Sequence, residues 1–297
     1  MRTVYWVSVS LLPLLSAAGA RADDNTFDRQ LPADARGVVS ISSTAGTIHV
    51  TGWDRAEVNV HADLGSESDK VEVTSEHGRT SIRVAQRSSS GPHGGADLQI
   101  KIPKESELDV SAVSADVTSQ GVLGVQRLSA VSGNVTAELA GSDLELKTVS
   151  GDVKLKGHGQ PARLHVTTVS GDLHLDHGAG DLEAGTVSGE LVVALDSARS
   201  VRARTTSGDL SFEGKLTRGA SFDAATVSGE LKVRASADGG YAYEVSSFSG
   251  DITNCFGAAS SGQHGSPGHS LEGTRGEGAG RVHLKSMSGD IELCDRP

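Results

Sequence analysis

Aromatic residues, proline and cysteine are scarce in this sequence, and so is positive charge. Phe, Trp and Tyr together make up 3 % of its 297 residues. The flat aromatic platforms on which many sugar and protein binding sites depend are therefore in short supply. Lys and Arg number 27 against 38 Asp and Glu, which gives a net charge of −11. Nucleic acid and anionic lipid both require a basic face, so we expect neither as a partner.

Long hydrophobic runs are absent as well. The longest apolar stretch, from Val4 to Leu15, is too short to span a bilayer. It follows Arg2 and precedes a small-residue cleavage pattern that ends at Ala22. This layout predicts a cleavable secretory signal over residues 1–22, which we expect to be followed by a disordered linker over residues 23–36. We therefore expect an exported protein, periplasmic or on the cell surface or secreted, with no membrane span.

Glycine, by contrast, is abundant, with 37 residues, many of them in one repeated phrase. Val-Ser-Gly-Asp-Leu, or a close variant, returns every 18 to 21 residues, with a degenerate copy at 113–117 and a distant one at 44–48. Such a period is typical of one small supersecondary unit stacked on itself. We assign a structural turn to each repeat glycine: Gly133, Gly151, Gly171, Gly189, Gly208, Gly229, Gly250 and Gly289.

Each copy can be numbered from its glycine as position 0, and apolar residues then recur at positions −7, −5, +2 and +4. Period-two alternation on both sides of the glycine predicts two short strands, each with one buried face. Gln126 interrupts the −7 column, and Ser119 and Asn254 interrupt the +4 column. An apolar residue at −2, such as Val149, breaks the alternation. It indicates a corner or bulge, for which the following glycine supplies a left-handed backbone.

Two all-β arrangements fit this pattern, a β-solenoid and a meander of hairpins. We favour the solenoid because like residues form columns, as parallel in-register stacking would produce. The fold prediction is a parallel β-helix-like β-solenoid with coils of roughly 18–21 residues. Residues 37–107 are predicted to form an irregular N-terminal β cap and the first coils. Residues 108–297 are predicted to form the regular repeats, with a flexible, Ser- and Gly-rich loop at 257–280.

The two cysteines support parallel stacking. Cys255 and Cys294 each lie at +5 from a repeat glycine, the same place in two consecutive copies. Stacked coils would bring their Cα atoms about 4.8 Å apart, within the range that a disulfide accepts. We therefore predict a disulfide between them that clamps the last two coils. Two free thiols are the alternative, and an oxidising compartment disfavours it.

Acidic residues recur at +1, where they could serve chemistry or structure. Such stacked carboxylates could bind Ca²⁺ to relieve their repulsion, or a pair could act in glycoside hydrolysis. Asp after Ser-Gly in a bend also accepts hydrogen bonds from its own turn, and we favour this structural role. No histidine keeps a constant offset from the serines at −1, so these indicate no nucleophile. We predict no catalytic, cofactor or metal site. The acidic residues at +1 are Asp116, Asp152, Asp172, Glu190, Asp209, Glu230, Asp251 and Asp290.

The repeats resemble those of a known bacterial group. The Val-Ser-Gly-Asp-Leu copies, the turn at Gly52-Trp53-Asp54 and the segment Ile100-Lys101-Ile102-Pro103 are similar to those of envelope proteins with β-strand repeats. That family is known as putative adhesins, or as a domain of unknown function. The resemblance covers about residues 37 to 294. It implies a right-handed β-solenoid-like fold and an envelope location, and it brings no catalytic residues.

These observations favour an exported, non-enzymatic β-solenoid that serves as a structural or adhesive module of the bacterial cell envelope. The alternatives are a polysaccharide-active enzyme that uses acids of the repeat and a calcium-stabilised rod. The expected partner is an unknown envelope component or a cell-surface ligand, and end-to-end self-association is possible for a stacked rod.

Overall fold

The protein is described by a computed structural model over residues 25–65, 70–85, 95–257 and 268–295. The predicted signal peptide, residues 1–22, lies outside these ranges. Within them the chain is all-β and contains no helix. Accordingly, the described part of the chain offers no helix with the length and apolarity needed to cross a membrane.

Seven strands form the N-terminal region. The longest, β2, stacks in parallel with β7 along both of its halves, and with β5 and β6 on its other side. Three further strands pair antiparallel: β1 with β3, β3 with β6, and β4 with β5. The seven are β1 (Thr26–Pro32), β2 (Val38–Trp53), β3 (Glu57–Leu64), β4 (Lys70–Glu76), β5 (Arg79–Ala85), β6 (Ala96–Pro103) and β7 (Glu107–Gln120).

Fourteen strands follow, and most carry the repeat. They are β8 (Gln126–Ser132), β9 (Val135–Glu138), β10 (Leu144–Ser150), β11 (Val153–Lys156), β12 (Ala162–Ser170), β13 (Leu173–Ser188), β14 (Leu191–Ser207), β15 (Leu210–Ser228), β16 (Leu231–Ala237), β17 (Gly240–Ser249), β18 (Ile252–Asn254), β19 (His269–Gly276), β20 (Gly280–Ser288) and β21 (Ile291–Cys294).

Equal positions of neighbouring repeats are paired in parallel. Leu144 pairs with Leu164 and Val153 with Leu173, each at the same offset from its glycine. The fold is therefore all-β and β-solenoid-like, as predicted. Its coils are uneven, however. Some copies consist of two short strands, whereas β13, β14 and β15 each continue from one copy into the next. The pairings β13–β14 and β14–β15 also contain register shifts.

The order of the last copies differs from the predicted chain order. β20 lies between β15 and β17, and β21 lies between β16 and β18. The copy of Gly289 is thus internal, and the copy of Gly250 is outermost. The predicted flexible loop at 257–280 also contains strand β19, which pairs antiparallel with β17 and covers it. The long separation between Gly250 and Gly289 lets the chain double back. Every copy has the same apolar columns, so these columns fit the chain order and the observed order of copies equally well.

The N-terminal end doubles back in a similar way and corrects the predicted linker. Residues 23–36 were expected to be disordered, but Thr26–Pro32 pairs with β3 over its whole length. Phe27 and Leu31 pack partly buried against the core. Asp28 lies 2.7 Å from His61 Nδ1, and this hydrogen bond raises the pKa of His61. A short polar segment can form a strand when a neighbouring edge supplies its partner.

The core is a stack of the inward columns, and its two polar exceptions satisfy each other. Gln126 is fully buried, and its amide oxygen accepts a hydrogen bond of 2.7 Å from Ser119. Its amide nitrogen donates to the carbonyl oxygen of Glu138. Two of the three breaks in the apolar columns, Gln126 and Ser119, are therefore one hydrogen-bonded pair, which removes the cost of burying either group alone.

Threonines at position −3 also point inward. Their hydroxyl oxygens are buried and have no hydrogen-bond partner in the described structure, so these threonines form no hydrogen-bonded ladder along the stack. A strand spacing of about 4.8 Å leaves equivalent hydroxyls too far apart unless their rotamers turn toward each other. These residues contribute packing rather than a polar chain: Thr148, Thr168, Thr186, Thr205 and Thr226.

Candidate functional site at the repeat corner

The corner of each copy spans positions −2 to +1, which include the repeat glycine. Residues −2 and −1 both face outward, as Val149 and Ser150 do, and the parallel ladder skips position −2. The predicted bulge therefore exists. The eight repeat glycines have φ between 129° and 158°, a region that side chains disfavour. A Cβ built on Gly171 would collide with the carbonyl oxygen of Gly151, and the other repeat glycines approach their neighbouring coil in the same way.

The outward residues at −2 form a row that we call the apolar ridge. Each is 45–61 % exposed, and together they account for eight of the nine large hydrophobic side chains exposed in the described structure. A soluble protein tolerates scattered exposed hydrophobics, but eight of them in one row along nine stacked copies indicate an interaction surface. In stacking order the ridge is Val113, Val131, Val149, Val169, Val187, Val227, Met287 and Phe248, with Thr206 between Val187 and Val227.

The acids at +1 form a second row beside the ridge, and most of them bind the backbone of the next coil. Asp172 Oδ1 accepts a hydrogen bond of 2.8 Å from the backbone N–H of Glu190. The structural interpretation of this column is therefore favoured, although the donor belongs to the neighbouring coil and not to the acid's own turn. The same contact is made by Asp116, Asn134, Asp152, Asp209 and Asp290.

Two longer side chains depart from this ladder. Glu230 accepts a hydrogen bond of 2.8 Å from Lys232, and no described contact joins Glu190 to the next coil. An additional methylene places the carboxylate beyond the backbone N–H that aspartate reaches. Within the described ranges, the one group of three close potential metal ligands is Cys255, Glu292 and Cys294, so no such group falls in the acidic column.

The role of Asp172 can be tested with two substitutions. We expect Asp172→Asn to leave stability nearly unchanged, because Asn134 makes the equivalent contact at 3.1 Å with an amide oxygen. Asp172→Ala removes the acceptor and should cost about 1 kcal/mol in urea unfolding. A catalytic acid would behave differently, since Asp172→Asn would then abolish a glycan-degrading activity while the unfolding midpoint stayed the same.

A ladder of arginine–aspartate pairs crosses four coils away from the corner. Arg163 Nε donates to Asp143 at 2.9 Å, and Arg199 Nε donates to Asp181 at 2.8 Å. The hydrogen bonds from these guanidinium groups hold the pKa of both aspartates below its usual range. The pairs are largely exposed, so they add little to stability, and each cation is already neutralised.

A shallow depression lies beside the disulfide. The predicted bond between Cys255 and Cys294 is present, with their Cα atoms 4.9 Å apart. The depression is lined by both cysteines, Phe256 and two arginines. Arg275 pairs with Asp295, and Arg234 lies 4.0 Å from Glu292. Because each arginine faces a carboxylate, the depression offers no unpaired positive charge to an anionic ligand.

The aromatic residues near the C-terminal coils mostly fill the core. Phe212 and Phe222 are buried, with ring centroids 4.6 Å apart. Tyr241 is buried too, and burial raises the pKa of its hydroxyl to about 12. Phe248 is the exception, since it is 61 % exposed and extends the apolar ridge.

The repeat pattern predicts the corner but does not by itself predict the ridge. The apolar residue at −2 breaks the alternation, and that break indicates only a bulge. The signal was nevertheless present: an additional residue between two inward positions must face outward, so a repeated valine there predicts an exposed apolar row.

Comparison with known proteins gives a match over most of the chain. The family model described as Toastrack DUF4097 matches residues 33–294. No curated protein sequence matches significantly. Among solved structures, a putative adhesin from Bacteroides fragilis is 14 % identical, with a TM-score of 0.39, and the alignment covers 90 % of this chain and 96 % of that one. A putative lipid binding protein from Parabacteroides distasonis is 11 % identical, with a TM-score of 0.35 and coverages of 91 % and 97 %.

Proposed function

Because the chain belongs to the Toastrack DUF4097 family of bacterial putative adhesins, we propose that it is an exported, non-enzymatic structural or adhesive module of the cell envelope. Its contacts are made by the apolar ridge. The single observation behind this proposal is that eight exposed hydrophobic side chains occupy one row, at the same position in eight of nine stacked coils.

The chemistry of the corner supports a binding role over a catalytic one. A catalytic centre requires a few groups in one unique arrangement, whereas the acids at +1 repeat along the stack and mostly accept backbone hydrogen bonds. The serines at −1 are exposed and have no regularly placed base. The ridge, a row of exposed apolar side chains, is better suited to binding than to catalysis.

Export is supported by two independent features. The N-terminal sequence combines a basic residue, an apolar stretch and a small-residue cleavage pattern. The disulfide between Cys255 and Cys294 is of a kind that persists in oxidising compartments and is rare in the cytosol. The proposed partner is an envelope component or a ligand on the cell surface, and a net charge of −11 argues against nucleic acid.

Binding to cells tests the proposal. Labelled protein, purified after expression of the full chain, should bind saturably to intact cells and cell-wall fractions of the producing bacterium. The double variant Val149→Asp/Val187→Asp should bind at least ~10-fold more weakly, since two carboxylates would have to be buried in an apolar contact. The matched control Gln120→Asp/Gln160→Asp adds the same charge at exposed positions outside the ridge and should bind like the unmodified protein.

Two results would overturn the proposal. One is equal binding of the ridge variant and the unmodified protein, which would place the contact elsewhere. The other is turnover of a cell-wall glycan by the purified protein, which would indicate an enzyme.

A further inference from the structure

We propose that the partner of the apolar ridge is a second copy of this chain, packed side by side with its ridge against the first and with both stacks pointing the same way. This inference rests on the proposed function, because it takes the ridge as the contact surface. It adds the identity of the partner and the orientation of the pair.

The distance between successive ridge residues favours one kind of partner. In-register parallel pairing places successive ridge residues about 4.8 Å apart. An α-helix advances about 5.4 Å per turn, so its side chains would be out of step with the ridge by a whole coil after roughly eight coils. Residues on one face of a single extended strand are about 6.6 Å apart and lose register sooner. Another stack of β-coils keeps every pair of side chains aligned, and a second copy of this chain is such a stack.

The length and exposure of the ridge also suit a side-by-side pair. Its residues are 45–61 % exposed. Nine stacked positions about 4.8 Å apart give a row of roughly 40 Å. A stable interface buries about 800 Å² on each partner, and the ridge would form its apolar centre, completed by the flanking residues at −4, −1 and +1.

The charges on either side of the ridge determine the orientation. The acidic row at +1 lies on one side. The other side is position −4, which over the nine stacked copies carries three cations and no acid; one of the three, Lys147, also pairs with Glu145. A two-fold axis parallel to the ridge places the acids of one copy opposite the cations of the other. An axis perpendicular to the ridge would place acids against acids. The residues at −4, in stacking order, are Ser111, Ser129, Lys147, Thr167, Gly185, Arg204, Ala225, Lys285 and Ser246.

Cysteine cross-linking tests the orientation directly. Val149 and Val227 lie two coils on either side of Val187, the middle of the ridge. In the parallel pair each residue faces its own counterpart. Val149→Cys alone and Val227→Cys alone should therefore each give covalent dimers under mild oxidation. A mixture of the two variants, carrying different tags, should give few mixed dimers, because about 19 Å separates these positions along the stack.

An antiparallel pair would give the reverse result. Neither variant would cross-link alone, and the mixture would link residue 149 of one copy to residue 227 of the other; this outcome would overturn the proposed orientation. Leu123→Cys is the matched control, since Leu123 is 43 % exposed but lies outside the ridge, and it should give no covalent dimer.

Sedimentation and cell binding distinguish failure of this inference from failure of the proposed function. The unmodified protein should sediment as a dimer, and Val149→Asp/Val187→Asp should dimerise more than ~100-fold more weakly with an unchanged melting temperature. Labelled protein should lose its ridge-dependent binding to cells from which the gene is deleted. A monomeric protein that binds such cells through its ridge would refute the second copy as partner and leave the proposed function intact.

Discussion

Replacing Gly189 with alanine is expected to destabilise the protein by about 3–5 kcal/mol. Gly189 has φ of 144°, where an L side chain is strained, and the new Cβ would meet the carbonyl oxygen of Gly171 on the neighbouring coil. Backbone atoms on both sides of the contact are fixed by the parallel ladder, so the coils would have to separate locally. Urea unfolding followed by circular dichroism measures the loss.

Gly185 provides a matched control four residues earlier, within strand β13, which ends just before Gly189. A Cβ at this position would come no closer than 4.0 Å, to the carbonyl oxygen of Arg204, and its φ is ordinary. Gly185→Ala should therefore change stability by no more than about 0.5 kcal/mol. Equal losses for the two variants would show that the close approach of coils at the glycine column does not determine stability.

Removing the disulfide is expected to have the second largest effect. Cys255 and Cys294 are 39 residues apart, and closing a loop of that length stabilises the folded state by about 4 kcal/mol in the chain-entropy model. The double variant Cys255→Ser/Cys294→Ser should melt at a lower temperature than the oxidised protein. Hydrogen exchange should increase first in β18, which pairs only with β21 among the described strands.

Reduction of the unmodified protein should reproduce this shift, whereas the same reductant should not affect the double serine variant. If oxidised and reduced protein melted together, the outermost coil would have to be held by its strand pairing and packing alone.

Much of the fold could be predicted because its determinants are local. The columns at −7, −5, +2 and +4 follow from alternation, and the equal offsets of Cys255 and Cys294 placed them on neighbouring coils. Even the exceptions were informative, since Gln126 and Ser119 hydrogen-bond to each other. The chain order at the two ends could not be derived. Every copy presents the same columns, so pairing with one neighbour or another leaves the pattern of buried residues unchanged.

The candidate site was only partly predictable. The turn chemistry predicts that the acids at +1 accept backbone hydrogen bonds, and most of them do, but for Asp172 the donor is Glu190 on the next coil and not the acid's own turn. Such a contact depends on the distance between two coils. The sequence of a single repeat does not specify that distance. Predicting the ridge would have required knowing that Val149 and Ser150 both face outward at the bulge.

The internal position of β20 and β21 has a consequence for biogenesis. These strands are synthesised after β17 and β18, yet they separate β15 and β16 from β17 and β18. A nascent chain that has emerged only as far as β18 lacks the strands with which β17 and β18 pair. This coil can be completed only after residues 280–294 have emerged, so a chain truncated before Gly280 should expose an uncovered strand edge and aggregate.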